Sequence, residues 1–409
     1  MRIDDERHVC RVLNDYRERL RRVETELGRL PGVSGGDRDR LCRSLGEVER
    51  RLEDVESTLT QDIERRARHR SLPRVLADWT TPRLGVLAQQ APEPLAVPRH
   101  YLTTAPPREP PSITLVTPSF QQGRYLERTL FSVLRQNYPN LEYVVQDGDS
   151  NDGSKAVLAR YATALARWIS EPDAGQADAL NRGFAGTHGE IMGYLNSDDL
   201  LLPGALPYIA SFFARHPKVD VVYGHRLIID KYDRQLGIWV MPRHEDGALN
   251  VTDYIPQETL FWRRSAWEAA GGAIDTSFRY AIDWDLLLRM RGAGARMARL
   301  PRFLGAFRVH EEQKTSGERM VGSLECDRLR RRVHGRTLSP EELEIGVARY
   351  LRRHLVAHSV ERIKARMPRR RASVPVLPPG PWSVATTKPH ADDRAIDRAG
   401  HEQHAHAHG

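Results

Sequence analysis

The sequence predicts an α/β fold, a mostly parallel sheet flanked by helices, preceded by an α-helical coiled-coil segment. Three observations predict it. Apolar runs of strand length alternate with amphipathic runs of helix length after residue 112. Small polar and acidic residues gather just after the strand runs, where ligands sit in such sheets. Heptad spacing fills the amino-terminal stretch.

Taken in order, Leu13, Tyr16, Leu20, Val23, Leu27 and Leu30 alternate spacings of three and four, with Arg and Glu on the other faces. After the break GVSGGD, Leu41, Leu45, Val48, Leu52, Val55, Leu59 and Ile63 repeat the pattern. Residues 8–70 therefore read as two helices joined by a Gly-rich turn, and residues 1–72 as a coiled-coil module for self-association or a protein partner. Residues 73–111, ending in QAPEPLAVPRHYLTTAPPREPP, read as a Pro-rich linker. The main domain, 112–320, opens with SITLVTPSF, a strand ended by Pro118. A helix follows in which Leu126, Leu130, Val133 and Leu134 form one stripe. LEYVVQD, RWISEP and EIMGYL are further strands, and SKAVLARYA and QADALNRGFAGT the helices between them. Residues 321–366 form a basic helical extension, and residues 367–409, ending in HEQHAHAHG, a disordered tail.

A chain of 409 residues with 40% hydrophobic content can bury a full enzyme core, which excludes a wholly disordered protein. The net charge of +8 comes from runs such as RLRRRVHGR and ARMPRRRAS, away from the acidic residues. Those runs suit a peripheral membrane surface, and no nucleic acid partner is expected. Cys10, Cys42 and Cys326 form no CxxC pair, and no apolar run nears the roughly 20 residues of a membrane span. MRIDDERHVCR lacks a signal-peptide core, so the expected location is cytoplasmic.

GYLNSDDLLLPGA places Asp198 beside Asp199 at the end of an apolar strand. One capping residue would satisfy a helix start, but a second like charge calls for a cation or a strong donor set. QDGDSNDGS, after the second strand, is a polar turn by composition. It is no EF-hand loop, because Asp152 stands where Gly is needed and Leu158 where a bidentate Glu is needed.

From ITLVTPSFQQGRYLERTLFSVLRQNYPNLEYVVQDGDSNDGS through ISEPDAGQADALNRGFAGTHGEIMGYLNSDD, the chain resembles a family-2 inverting glycosyltransferase with the GT-A fold. The resemblance runs over about residues 112–316. It implies that Thr117, Pro118 and Ser119 lie along the nucleotide, that Asp147 accepts a hydrogen bond from the base, and that Asp173 and Arg182 line the nucleotide pocket. NSDD matches the DxD motif, with Asn196 first, Asp198 at the metal-binding position and Asp199 beside it. It implies Mn²⁺ or Mg²⁺ between these carboxylates and the diphosphate. FRVHEEQKTS resembles the segment that closes over the diphosphate, so Arg308 or His310 contacts phosphate or metal. AIDWDLLLRM resembles the acceptor region, with Asp283 as general base and Ile282 in place of the usual Glu. Asp285 is the alternative base, or the cap of that helix. Trp262, Trp267 and Trp284 either stack on sugars or fill the core.

The resemblance thus implies a nucleotide-sugar-dependent hexosyltransferase, taking a UDP-, GDP- or dTDP-sugar and a hydroxyl acceptor, glycan or lipid-linked, in polysaccharide or glycoconjugate synthesis. Rival readings are an inactive scaffold working through its coiled coil and a sugar nucleotidyltransferase. The latter ordinarily carries a Gly-rich loop that TPSFQQGRYL lacks.

Overall fold

The computed structural model describes residues 91–310, 319–366 and 373–376. The coiled-coil segment, the linker up to residue 90 and most of the tail lie outside the described residues.

Two edge strands, β1 (Glu93–Pro94) and β2 (Ala96–Pro98), precede the central strand β3 (Ile113–Ser119). There follow α1 (Gly123–Leu134), β4 (Leu141–Asp147), α2 (Ser154–Tyr161), β5 (Arg167–Ser170), α3 (Gln176–Phe184) and β6 (Ile191–Tyr194). In β3 and β4 every second side chain faces the same way. Leu115 and Val145 enter a core shared with Leu126 and Leu130 of α1, while Val116 and Val144 enter a second core with Leu180 and Phe184 of α3. Each fully buried leucine of these cores contributes about 1.5–3 kcal/mol. β5, β4, β3 and β6 run parallel, as the alternation of elements requires.

Pro118 does not end its strand, which continues to Ser119 opposite Asp147. The pairing of β3 with β6 stops at Val116 opposite Tyr194, so beyond that point one side of β3 is open, and an open edge tolerates proline.

The second half departs from the parallel pattern. It comprises β7 (Leu200–Leu201), α4 (Ala205–Arg215), β8 (Val221–Ile229), β9 (Arg234–Trp239), the short α5 (Asp246–Leu249), β10 (Phe261–Arg263), α6 (Arg264–Ala269), α7 (Ile282–Gly292) and β11 (Met297–Arg308). β8 and β9 form a hairpin, and β10 runs antiparallel to both β6 and β8. Among the described residues the large sheet has ten strands and is mixed rather than mostly parallel. The hairpin turns at Asp230, whose carboxylate accepts the N–H groups of Tyr232 and Arg234, with Asp233 at φ 62°.

α8 (Arg319–His334) and α9 (Pro340–Arg366) close the described chain, with β12 (Ser373–Pro375). β1 pairs with β9 and β2 with β12, and Leu95, Val97, Tyr101 and Val376 are buried together. Residues 93–101 and 373–376, expected as linker and tail, therefore belong to the domain. Their prolines fit because these strands lie at sheet edges. Among the described residues no helix is long and apolar enough to cross a membrane.

α7 is fixed from behind by Asp285. Its fully buried carboxylate pairs with Arg289 Nε at 2.8 Å, within the helix, and with Arg332 Nη1 of α8 at 2.6 Å. Removing one partner of a buried ion pair strands the other, at a cost of about 3–5 kcal/mol, and here both arginines retain some solvent. Asp285→Ala should lower stability by about 3 kcal/mol in urea melts while donor-nucleotide affinity stays unchanged. A loss under about 0.5 kcal/mol, the usual size of a neutral surface change, would show that the α7–α8 clamp carries no weight.

Candidate active site

The carboxyl ends of β3, β4 and β6 lie side by side, and the polar residues expected from the sequence collect there. Thr117 Oγ1 is 2.9 Å from the Tyr143 hydroxyl, with both buried. Ser119 Oγ is buried with no hydrogen-bond partner. Asp147 is fully buried and accepts three hydrogen bonds, from Ser150 N, Ser150 Oγ and Ser170 Oγ, at 2.9, 2.7 and 2.6 Å. It shapes the turn after β4 and ties that turn to β5. Asp152 does the same for the two helix starts, accepting Gly123 N and the N–H and hydroxyl of Ser154. Burial works against its charge, yet these donors hold it below the usual carboxylate range.

Asp173 accepts the Gly175 N–H at 2.8 Å and leans over Gly148, where a Cβ would come within 2.9 Å of its Oδ2. Glycine at 148 lets this carboxylate approach the end of β4. Arg182 sits at the surface, paired with Asp178 at 2.8 Å and Glu171 at 3.1 Å. Asn196 Oδ1 accepts the Gln176 amide at 2.7 Å, joining the β6 end to the start of α3.

The adjacent aspartates face different ways. Asp198 Oδ2 meets His310 Nε2 at 3.0 Å across 112 positions of sequence. Asp199 turns into the protein, 2% exposed, and its Oδ1 accepts the backbone N–H of Arg308 at 2.9 Å. Burial, with the charges of Asp198 and Glu258 nearby, raises Asp199 well above the ordinary carboxylate range. Among the described residues no three His, Cys, Asp or Glu side chains converge, so Asp198, Asp199 and His310 do not form a ligand trio. Two neighbours in an extended turn cannot both present their carboxylates to one point.

Arg308 is fully buried rather than held out toward a phosphate. Its Nε donates to the Asp198 carbonyl at 2.6 Å, its Nη1 to the Asp230 carbonyl at 2.9 Å, and Nη1 lies 2.6 Å from Asp233 Oδ1. Thr129 of α1 completes the loop by donating to the carbonyls of Ser197 and Asp199, a bifurcated bond at 2.8 Å each. Tyr125 lies against both partners, 4.8 Å from the His310 ring and 4.8 Å beneath the Arg308 guanidinium.

On the other flank, Asp283 occupies the first turn of α7 and is half-buried, its Oδ1 taking the Trp284 N–H at 2.9 Å. Ile282 is buried in the core, so the residue standing for the usual acid adds no charge. Asp253 comes close enough that burial and then the Asp283 charge raise it well above the ordinary range. The Tyr194 hydroxyl is raised by burial and by the same two carboxylates. Arg226 offsets this acidity, gripping Glu258 through Nε and Nη2 at 2.8 and 2.6 Å. Trp262 and Trp284 are fully buried, and Trp267 is 5% exposed, so all three belong to the core and are closed to sugar stacking. Trp284 Nε1 spends its donor on the Leu249 carbonyl.

The sequence profile of "Glycosyl transferase family 2" matches residues 114–269, which carry every one of these strand ends except the Arg308 and Asp283 segments. The chain is 29% identical over 185 residues to an uncharacterized glycosyltransferase of Mycobacterium tuberculosis, covering 44% of this chain and 68% of that one. It is 27% identical over 217 residues to the O-antigen biosynthesis protein RfbC of Myxococcus xanthus, covering 52% of this chain and 17% of that one. The match places residues 114–269 in glycosyl transferase family 2.

Likenesses to solved glycosyltransferases are distant and carry no part of this assignment. The S. aureus TarS complex with UDP-GlcNAc superposes at a TM-score of 0.45 with 17% identity, covering 63% of this chain and 76% of TarS. The mannosyltransferase PcManGT of Pyrobaculum calidifontis, in complex with GDP-Man and Mn²⁺, gives 0.45 with 20% identity over 64% of this chain and 76% of its own.

Within this glycosyltransferase, sequence reasoning missed Asp253, Arg226, Glu258, Tyr125 and Thr129. No motif marks Asp253, Tyr125 or Thr129; the buried Arg226–Glu258 pair lies 32 positions apart. The placement of the two aspartates yields a direct comparison. Asp198→Asn should weaken Mn²⁺-dependent nucleotide binding by about 10- to 100-fold. Asp199→Asn should leave that binding within about threefold, well under a tenfold step of 1.4 kcal/mol, and change the melting temperature instead. Calorimetric titration of both variants with UDP and GDP decides it, and equal losses in binding would contradict the inward placement of Asp199.

Proposed function

We propose that the protein is an inverting glycosyltransferase that moves a sugar from a nucleotide-diphosphate donor to a hydroxyl acceptor, in polysaccharide or glycoconjugate synthesis. The observation that carries the reading is the arrangement across the sheet edge: Asp198 with His310 on one side, and on the other Asp283, half-buried in the first turn of α7 with its Oδ1 accepting the Trp284 N–H. One side suits a diphosphate and the other an attacking hydroxyl.

A divalent cation fits the first side. Asp198 Oδ2 and His310 Nε2 bring an oxygen and a nitrogen donor to one point, and Mg²⁺ or Mn²⁺ in such sites takes one or two protein ligands and fills the rest with phosphate and water. Bound there, the cation would neutralise charge on the departing diphosphate. The protein's own part is to hold Asp198 rigidly. Thr129 and Arg308 clamp the backbone on both sides of its carboxylate, so little reorganisation is left when the donor arrives. Thr117, Pro118 and Ser119 would lie along the nucleotide, and Asp173 beside it.

Asp283 would take the proton of the acceptor hydroxyl as that oxygen attacks the anomeric carbon from the face opposite the diphosphate. The single displacement inverts the carbon. Asp285 is committed to Arg289 and Arg332 and cannot serve. The amino-terminal module and a peripheral membrane contact remain parts of this proposal: the first for self-association or a partner, the second for access to a lipid-linked acceptor.

Asp283→Asn should cut kcat by about 10²- to 10⁴-fold with donor affinity and melting temperature preserved, while Asp285→Asn should spare kcat per folded molecule. Both are assayed for nucleotide release over a panel of nucleotide sugars and acceptors in Mn²⁺. Turnover that survives saturating EDTA would remove the cation from the reading, and a kcat loss confined to Asp285→Asn would exchange the two roles.

A further inference from the structure

Where residues 96–101 pack against β8, β9 and β11 they enclose a cavity of about 300 Å³ that shares no residue with the site above. Its walls include Val97, Tyr101, His225, Ile238, Arg302 and Phe303. That volume lies at the lower end of small-molecule sites, about 300–1,000 Å³. Most of the lining is aliphatic or aromatic, and Arg302 brings a cation to it beside His100, His225, Gln235 and Glu361.

Arg302 is 6% exposed, yet among the described residues it pairs with no carboxylate. Its guanidinium lies 3.9 Å from the centre of the Tyr101 ring and 4.7 Å from that of Tyr208. Nη1 donates to Thr104 Oγ1 at 2.9 Å, and Nη2 to the carbonyls of Pro203 and Tyr101 at 3.0 and 3.4 Å. All of these partners are neutral. Nε is buried with no hydrogen-bond partner. A buried cation is ordinarily paired, because an uncompensated charge out of water is costly. His225, 5% exposed, lies in the same walls and accepts the Met241 N–H on Nδ1. Glu361, the carboxylate of the lining, acts on the Tyr101 hydroxyl.

We propose that this cavity binds a small molecule with an anionic head, a carboxylate or a phosphate, on an apolar body, with Arg302 as its counter-charge. The apolar walls exclude a bare ion as the preferred occupant, and the unpaired guanidinium excludes a neutral one. The competing account makes Arg302 only a strut that pins residues 101–104 to the loop at Pro203. The two differ in what they say about anions.

The test titrates the full chain by calorimetry with octanoate, octyl phosphate, octanol and inorganic phosphate. An anion on an apolar body should bind at one site, roughly 10- to 100-fold more tightly than octanol or inorganic phosphate, the range of one charge-assisted contact. Whichever of octanoate and octyl phosphate is tighter identifies a carboxylate or a phosphate source. Arg302→Gln should bring the anions down to the octanol level while octanol is unaffected. Ala96→Phe, which fills the cavity from its β2 wall without touching Arg302, should abolish binding of all the chains with the melting temperature preserved. If Arg302→Gln does not fold, the comparison of anion with alcohol on the native protein and the Ala96→Phe variant decide. Octanol matching the anions on the native protein, no binding by either octyl anion, or binding that persists in Ala96→Phe would overturn the proposal. None of these readouts depends on sugar transfer.

Discussion

Arg308 holds the two halves of the site together. It stands at the end of β11, in the second half of the chain, and its backbone and side chain grip Asp199 and Asp198 at the end of the first half. A guanidinium fully removed from water is costly, and burial lowers its pKa despite Asp199 and Asp198 nearby. The cost is met by carbonyl and carboxylate oxygens on two separate loops, the aspartate loop and the β8–β9 turn. Asp233, on the β8–β9 turn, is shared between Arg308 and Arg128 of α1, so helix, hairpin and aspartate loop are joined through one carboxylate and two arginines. The geometry of Asp198 follows from that lock. A loop bearing two adjacent carboxylates would otherwise open under its own repulsion.

This explains which parts of the molecule could be read from sequence. The strands and helices from β3 to β6 were legible because each has its own period and its own punctuation, and LEYVVQD matches β4 residue for residue. The clustering of Thr117, Asp147 and Asp198 at one sheet edge followed from topology alone. What side-chain direction decides was not legible. Asp198 and Asp199 are chemically identical and adjacent, and only the packing of β11 against β7 turns the second one inward. Arg308 and Arg182 were both expected at the nucleotide, yet one is buried as a clamp and the other is paired at the surface. An arginine's role depends on which carbonyls lie within reach, and these come from residues up to 110 positions away.

The mixed half of the sheet was hidden for a related reason. VVYGHRLIIDKYDRQLGIWV alternates little, because β8 is covered on both faces, and its turn carries neither Asn-Gly nor Asp-Gly. The proline-rich approach to the domain misled in the opposite sense. Proline in quantity argues against central strands, but β1 and β2 are edge strands of two and three residues, and there the missing N–H costs nothing. Closure of β2 by β12 brings the far end of the described chain back onto that approach.

The flank formed by Asp253 and Asp283 has a charge problem of its own. Asp253 and Asp283 act on each other and on the Tyr194 hydroxyl, and Arg226, the nearest compensating cation, already grips Glu258 through two hydrogen bonds. Asp253 Oδ1 is buried with no hydrogen-bond partner. Two close carboxylates in low dielectric cannot both hold full charge comfortably, so a proton on Asp253 is favoured. A neutral Asp253 removes one of the two charges that act on the Tyr194 hydroxyl. The pair therefore divides into a buried group whose surroundings favour the neutral form and a half-buried one, Asp283, whose Oδ1 accepts the Trp284 N–H.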